Sequence, residues 1–522
     1  MKKGSNFLLI FLNVAVVIGG VGMQAYLLST SQRKQERQLL ILSTVEEKIR
    51  ANILGVKEYI SSELGSREVR GEENTNKAVV EKAKKSVVTI KVKATIVAYG
   101  DGTTNWEGSG FVVDKKRGIV VTNAHVAGRN AVAELELIFC NGRRAQAKQL
   151  FIDPWIDCAF LYIDPKDIPA EVLEAPLAQE ELKELSPIFV IGNNEGKGFS
   201  VCTGVLVNLH QIPVVGKGNE LQLPSDSVLY SLNTKSGSSG SPIFNQKGEV
   251  VALNYAASVT FGYGVKLDYI KYALPFIVEN KLPVRQHVGI VTDLISIHDA
   301  KKFLGCHQID EVVYERQFPN ANGFVLCVKA ILKGSPAEGV LRLNDIIKSI
   351  DGKLIGPNLV NLDIAMSKAQ GKSVFLEIYR QGEELTVEVN LYTPVGVDRM
   401  VRFGGVTFFE VDDTWSNVLC LPIGTLTCFR VEQSESFGLS NFSPYCRVFY
   451  GRVDQFAGRP VSSLDDLIDI IPRLIKRKYF PVYCTDIEGR YFSRLISYHA
   501  MNTAPCVFFF DKEGLQWRKK NI

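Results

Sequence analysis

The chain begins with an apolar stretch and continues with a helical spacing of apolar residues. Residues 7–28 contain no charged side chain, and about 20 apolar residues are needed to cross the hydrocarbon core of a bilayer. This stretch predicts a transmembrane helix that anchors the protein, with a cleaved signal peptide as the alternative. Apolar residues recur every three or four positions through 33–64, which predicts a helical stalk, either self-associating or simply amphipathic. The charged and polar stretch 65–85 is typical of a linker.

From residue 86 onward the period of the pattern changes to two. Alternate positions are apolar over 88–96 and again over 133–139, as expected for strands with one buried face. Short apolar runs separated by Gly, Asn, Asp and Pro follow as far as about residue 265. This pattern predicts a mainly β fold, arranged as an antiparallel barrel or sandwich.

Length and composition limit the number of domains and the classes of partner and cofactor only slightly. A length of 522 residues indicates about three to four domains. The net charge of +4 is too small to indicate a nucleic-acid partner. The 10 cysteines are scattered without a CxxC pair, so neither a zinc site nor a redox dithiol is expected. We expect no metal and no cofactor.

Three local motifs occur in the order His, Asp, Ser. His125 lies in TNAHV, Asp157 opens an apolar strand, and Ser239 lies in the turn GSSGSP. A carboxylate at the start of a buried strand needs a partner that offsets its desolvation, and a histidine N–H can be that partner. Glycines beside a serine allow a turn that aims backbone N–H groups at one point. The order is that of the chymotrypsin-type catalytic triad.

With these motifs the sequence resembles the HtrA/Deg family of trypsin-fold serine proteases that carry PDZ domains. The likeness runs from about 86 to 500 and is closest to the branch found in plants and in fungal nuclei. It rests on GFVVDKKRG before the histidine, DPxxD at the aspartate and GSSGSP at the serine. That branch commonly repeats its protease–PDZ unit, whereas this chain carries one unit. The resemblance implies a trypsin-like double β-barrel protease domain at 86–280.

The resemblance also implies roles for individual residues. Ser239 would be the nucleophile, His125 the general base and Asp157 the carboxylate that orients the imidazole. The backbone N–H groups of Gly237 and Ser239 would form the oxyanion hole. The primary substrate pocket would be lined by Asn233, Lys235, Gly264 and Lys266. A lysine at 266 stands where the family has an apolar residue.

The second half predicts two α+β modules, at 285–393 and 400–498, followed by a tail at 499–522. The first module carries SPAE and an apolar strand that ends in an Asp-Gly turn, and it resembles the PDZ domain of the family. Its carboxylate-binding loop would include Val288, Gly289 and Ile290. The second module resembles a weaker PDZ-like copy, for which a spacer role is as reasonable as peptide binding.

Together these features predict a membrane-anchored serine endopeptidase. It would cleave unfolded or mislocalised proteins, with C-terminal peptides at the PDZ domain selecting or gating the substrate. The alternatives are a catalytically silent PDZ scaffold or chaperone and a regulated signalling protease. The resemblance implies a homo-oligomer, a trimer or a multiple of one. We expect a single-pass protein of a bacterial inner membrane with its protease domain in the periplasm, or else a protein of a eukaryotic organelle membrane.

Overall fold

The computed structural model describes most of the chain from residue 77 onward. The described residues are 77–97, 104–180, 183–211, 226–232, 234–258, 260–319, 321–369, 371–403, 406–431, 450–474, 479–485, 489–497 and 504–522. The predicted anchor at 7–28, the stalk at 33–64 and most of the linker lie outside these ranges. Among the helices within them, none has the length and hydropathy that a membrane crossing requires.

A helix and a closed barrel of six strands come first. Helix α1 (Lys77–Lys84) occupies the end of the predicted linker. The barrel consists of β1 (Val87–Val97), β2 (Asn105–Asp114), β3 (Ile119–Thr122), β4 (Ala131–Phe139), β5 (Arg144–Ile152) and β6 (Ala159–Ile163). The strands close in the order β1-β2-β3-β6-β5-β4. Val88, Ile90 and Val92 of β1 and Leu135, Leu137 and Phe139 of β4 belong to the core of this barrel, as a period of two predicts.

A short 3₁₀ helix (Pro165–Asp167) leads to a second closed barrel. Its strands are β7 (Pro187–Asn194), β8 (Lys197–Gln211), β9 (Ser227–Tyr230), β10 (Pro242–Asn245), β11 (Val250–Ala257) and β12 (Gly262–Lys266). They close in the order β10-β11-β12-β9-β8-β7. Helix α2 (Leu267–Val278) follows and contains Pro275. The predicted mainly β, double-barrel fold is confirmed.

The third sheet belongs to the first α+β module. It contains β13 (Ile290–Ser296), β14 (Phe324–Ile331), β15 (Ile346–Ile350), β16 (Lys353–Leu354), β17 (Ser373–Arg380) and β18 (Glu383–Asn390), with helices α3 (Ile297–Leu304), α4 (Glu311–Gln317) and α5 (Leu359–Lys368). Strand β13 lies at the edge of the sheet, next to β14.

Helix α5 has two buried faces. Leu359, Leu362 and Met366 pack into the core of the module. Val360 and Ile364 belong instead to the cluster that includes the second barrel and α2. The spacing of three to four residues within each set places the two sets on different faces of the helix. The module is therefore packed against the double barrel through α5.

The last sheet runs to the C-terminus. It contains β19 (Arg399–Phe403), β20 (Val406–Glu410), β21 (Leu426–Val431), β22 (Tyr450–Phe456), β23 (Arg459–Pro460), β24 (Tyr479–Thr485), β25 (Tyr491–Ser497), β26 (Cys506–Asp511) and β27 (Gln516–Asn521), with helices α6 (Asp413–Leu419) and α7 (Leu464–Leu474). Strand β26 pairs with β19. The predicted tail at 499–522 thus includes a hairpin that completes this sheet, because the apolar residues Val507 and Phe508 are buried in it.

Candidate active site

Strand pairing in the first barrel brings His125 and Asp157 together. His125 follows the end of β3, Asp157 precedes β6, and these strands pair antiparallel with Thr122 opposite Ala159. The Nδ1 atom of His125 lies 2.7 Å from Oδ2 of Asp157. The backbone N–H of His125 donates to the other carboxylate oxygen, Oδ1, at 3.0 Å. Both oxygens of Asp157 are therefore directed at the same residue.

The electrostatics of this pair favour an ionised carboxylate. Asp157 is only 4% exposed, and burial by itself opposes ionisation. The charge and N–H groups of His125, with a smaller contribution from Arg129, outweigh this effect and lower the pKa of Asp157 below its ordinary value. An ionised Asp157 accepts a hydrogen bond from the N–H at Nδ1, which keeps the proton on Nδ1 and leaves Nε2 of the imidazole as the basic atom.

The second barrel supplies Ser239 from the turn between β9 and β10. Gly237 and Gly240 in this turn have φ angles of 89° and 84°, a region that favours glycine. The side chain of Ser239 is partly exposed, and its Oγ donates to the backbone carbonyl of Tyr255 at 3.2 Å. Because a hydroxyl has one proton, that proton must turn away from Tyr255 before an imidazole can accept it.

Two backbone N–H groups of the turn are available to a substrate. Within the described part of the chain, neither the N–H of Gly237 nor that of Ser239 donates a hydrogen bond. The neighbouring N–H groups of Ser238 and Gly240 donate to Lys235 and Asn254. The N–H groups of Gly237 and Ser239 can therefore donate to an oxyanion, while the other two hold the turn in place.

A buried serine that the sequence analysis left without a role joins the two barrels at this point. The Oγ of Ser109 donates to the carbonyl of Gly237 at 2.9 Å and accepts the N–H of Asn193 at 2.9 Å. Its N–H donates to the carbonyl of Ser239 at 2.7 Å, and its carbonyl accepts from Thr122 Oγ1 at 2.7 Å. The GSG motif at 108–110 was the available signal, but its partners are distant in sequence.

We predict that Ser109→Ala lowers both stability and turnover. It leaves the Gly237 carbonyl and the Asn193 N–H without their hydroxyl partner, at a cost of about 1–3 kcal/mol for each buried group. The Gly237 peptide can then rotate, so kcat should fall at least about tenfold while KM changes little. Urea unfolding and steady-state kinetics measure the two effects.

A matched control is Ser86→Ala. Ser86 is also buried and its Oγ donates to a backbone carbonyl, that of Ala83, at 2.7 Å. This variant should lose stability without losing kcat. Equal changes in kcat for the two variants would contradict the assigned role of Ser109.

Lys266, predicted for the substrate pocket, takes part in a buried ion pair. Its Nζ lies 2.7 Å from Oδ2 of Asp226 and 2.7 Å from Nδ1 of His210. The side chain of Asp226 is 1% exposed. The charge of Lys266 is therefore offset within the protein, and it does not present a free cation to a substrate.

The other predicted pocket residues lie in different surroundings. Asn233 lies outside the described residues. Lys235 is exposed, and its N–H donates to Asn194 Oδ1 at 3.2 Å. Gly264 faces the barrel interior, since a Cβ there would lie 2.7 Å from Ile243. Their role in a pocket stays a prediction.

The predicted carboxylate-binding loop has one of its donors engaged. The N–H of Gly289 donates to Nδ1 of His287 at 2.9 Å. The carbonyls of Val288 and Gly289 accept backbone N–H groups of the same module, and Ile290 begins β13. A ligand carboxylate would have to displace His287 to use the Gly289 N–H.

Within the residues described above, no three His, Cys, Asp or Glu side chains form a group suited to a metal ion.

Comparison with known proteins identifies related sequences. Residues 108–253 match the trypsin-like peptidase domain family. The pro-apoptotic serine protease NMA111 of Saccharomyces cerevisiae is 29% identical over 451 residues, covering 84% of this chain and 44% of the relative. Its namesake in Lodderomyces elongisporus is 25% identical over 424 residues, covering 79% and 42%. The chain thus spans less than half the length of these relatives.

Solved structures resemble this chain with lower sequence identity than these relatives do. An HtrA-type protease AlgW with a tripeptide has a TM-score of 0.44 and 17% identity, covering 61% of this chain and 96% of that chain. A serine endoprotease from Yersinia pestis has a TM-score of 0.40 and 18% identity, covering 61% and 97%.

The relatives correct the predicted location. NMA111 proteins with this level of similarity come from fungi, which have no bacterial inner membrane or periplasm. The prediction of a single-pass inner-membrane protein with a periplasmic protease domain is therefore wrong.

Proposed function

Because the chain belongs to the HtrA/Deg family of serine proteases, we propose that it is an endopeptidase that cleaves unfolded proteins through an acyl-enzyme. The observation that supports this most directly is the 2.7 Å contact between His125 Nδ1 and Asp157 Oδ2. It prepares Nε2 of the imidazole to act as a general base.

The proposed reaction uses both barrels. His125 accepts the proton of Ser239 Oγ as that oxygen attacks the scissile carbonyl, and Asp157 stabilises the imidazolium. The N–H groups of Gly237 and Ser239 donate to the oxyanion that forms, which is worth about 3 kcal/mol per donor in such sites. The imidazolium then protonates the leaving amine, and a water molecule hydrolyses the acyl-enzyme by the same sequence of proton transfers.

We further propose that the first module, 285–393, is a PDZ domain that gates this activity. Strand β13 lies at the edge of its sheet, where an extended C-terminal peptide could add as a further strand. The loop before β13 has a donor, the Gly289 N–H, that His287 now occupies. Whether the second module binds peptide, and whether the protein forms trimers, stay predictions.

Labelling by a fluorophosphonate tests the proposed activity. Such a reagent reacts with an activated serine, so the protein should be labelled once, and Ser239→Ala should not be labelled. Absence of labelling in the folded wild-type protein would favour the catalytically silent scaffold.

Gating is tested by the effect of a C-terminal peptide on cleavage of a reduced, carboxymethylated protein. We expect an apolar peptide with a free carboxylate to change the rate severalfold, because it would compete for the Gly289 N–H with His287, whose ring also packs on Trp155. The same peptide with an amidated C-terminus is the control and should have no effect. Equal rates with both peptides would contradict gating, and strict dependence on the free peptide would favour the signalling protease.

A further inference from the structure

The loop that carries Asp157 owes its shape to a second aspartate. Oδ1 of Asp153 accepts the N–H groups of Trp155 at 3.0 Å and Ile156 at 2.9 Å. Asp153 is 1% exposed. Its side chain thus closes a tight turn just before Asp157, and this turn sets the direction in which the Asp157 carboxylate points.

The other carboxylate oxygen of Asp153, Oδ2, pairs with an arginine that lies outside the first barrel. Nε and Nη2 of Arg285 both lie 2.5 Å from Oδ2 of Asp153. The side chains are 6% and 2% exposed, so the carboxylate depends on this cation for its charge balance. The guanidinium also lies over the ring of Tyr272 on α2, 4.9 Å from its centroid. Arg285 belongs to the segment between α2 and β13.

A second residue of the same segment contacts the same loop. The ring of His287 stacks on Trp155 with centroids 3.6 Å apart. The backbone of His287 pairs with Tyr392 in both directions, at 2.9 and 3.0 Å. Its Nε2 lies 3.7 Å from Oδ1 of Asp363 on α5. His287 is therefore fixed to the first α+β module while it packs against the Asp157 loop.

We propose that Arg285 and His287 are positioning residues: by holding Asp153 and Trp155, they keep Asp157 aligned with His125. The way in which the α+β module packs on the double barrel then determines how well the triad is aligned, and hence how active it is. This inference rests on the proposed function, and it assigns neither residue a contact with substrate.

The packing of the α+β module on the double barrel depends on contacts between α2 and α5. Tyr269 donates to Oδ2 of Asp363 at 2.6 Å. The hydroxyl of Tyr272 lies 2.9 Å from the carbonyl of Val284 and 3.3 Å from that of Ser367 on α5, and its one proton can be donated to only one of them at a time. Tyr272 is also the ring under Arg285. A displacement of α5 would therefore disturb Arg285 and His287 together and weaken two of the contacts that support the Asp157 loop, while Arg129 and Asn123 would still donate to its carbonyl groups.

Arg285→Gln tests the proposal when turnover is normalised by fluorophosphonate titration of Ser239. We expect kcat for each titrated site to fall about 10- to 100-fold with KM within about threefold. The acid limb of the pH profile of kcat/KM should move to lower pH, because a misaligned Asp157 stabilises the imidazolium less. Arg285→Lys, which keeps the charge, should recover part of the loss.

Arg380→Gln is the matched control. Arg380 forms a similar two-point pair with Asp345, at 2.8 and 2.7 Å, but within the α+β module and away from the loop. This variant should be destabilised with kcat per titrated site unchanged. An unchanged kcat per site in Arg285→Gln would overturn the proposal.

Amide exchange gives a readout that does not need activity. In Arg285→Gln we expect the amides of His125, Trp155 and Ile156 to exchange at least about tenfold faster, with that of Val190 in the second barrel unchanged. Unchanged exchange at all of them would overturn the proposal even if the wild-type protein had no activity. If Arg285→Gln does not fold, Trp155→Leu removes the stack alone and should show the same pattern.

Discussion

Ser239→Ala is expected to lower kcat by about 10⁶-fold. The reason is that no other group can form the acyl-enzyme, and members of such a triad act as a unit. Rate enhancement of about 10³- to 10⁴-fold over water should remain, since the N–H groups of Gly237 and Ser239 are backbone groups that the substitution keeps. Cleavage of a peptide amide under single-turnover conditions measures the loss.

The control for Ser239→Ala is Ser462→Ala, which removes an exposed hydroxyl that contacts Asp466 on helix α7. It should keep the wild-type rate. Activity of Ser239→Ala within tenfold of the wild type would contradict the assignment of the nucleophile.

Asp157→Asn is expected to lower kcat by about 10⁴-fold while the fold is kept. The backbone N–H of His125 donates to Oδ1 at 3.0 Å, so the amide oxygen of the asparagine takes that place. Its NH₂ group then faces Nδ1 of His125, which must accept a hydrogen bond instead of donating one. The proton of the neutral imidazole moves to Nε2, and the imidazole can no longer accept the proton of Ser239.

Asp167→Asn serves as the control, since Asp167 is exposed in the 3₁₀ helix beyond β6. It should leave the rate unchanged. Part of the activity of Asp157→Asn should return at high pH, where hydroxide substitutes for the base. A variant as active as the wild type at neutral pH would rule out Asp157 as the orienting carboxylate.

The strands of the barrels and the catalytic motifs could be predicted because each gives its signal within a short stretch of sequence. An alternating pattern indicates a strand wherever it occurs, and a triad residue needs its own type of side chain in its own type of turn. His125, Asp157 and Ser239 each lie in such a motif. The first two are brought together by a single strand pair, β3 with β6.

The supports of the site are not predictable in this way. Ser109 contacts Gly237, and Asp153 pairs with Arg285, across more than a hundred residues of chain. A serine in GSG or an arginine in a linker gives no local signal of its partner. The place of the hairpin of β26 and β27 in the last sheet was missed for the same reason, because its partner strand β19 lies about a hundred residues earlier.

The division of the site between two barrels has a mechanical consequence. The base and its carboxylate lie on one barrel and the nucleophile on the other, and Ser109 forms hydrogen bonds directly across the seam between them. A small shift of one barrel relative to the other would change the distance between Ser239 Oγ and the imidazole of His125. Both barrels would stay folded, and Asp157 would still orient the imidazole. The alignment of the serine with the imidazole therefore depends on the contacts across the seam as much as on the fold of either barrel.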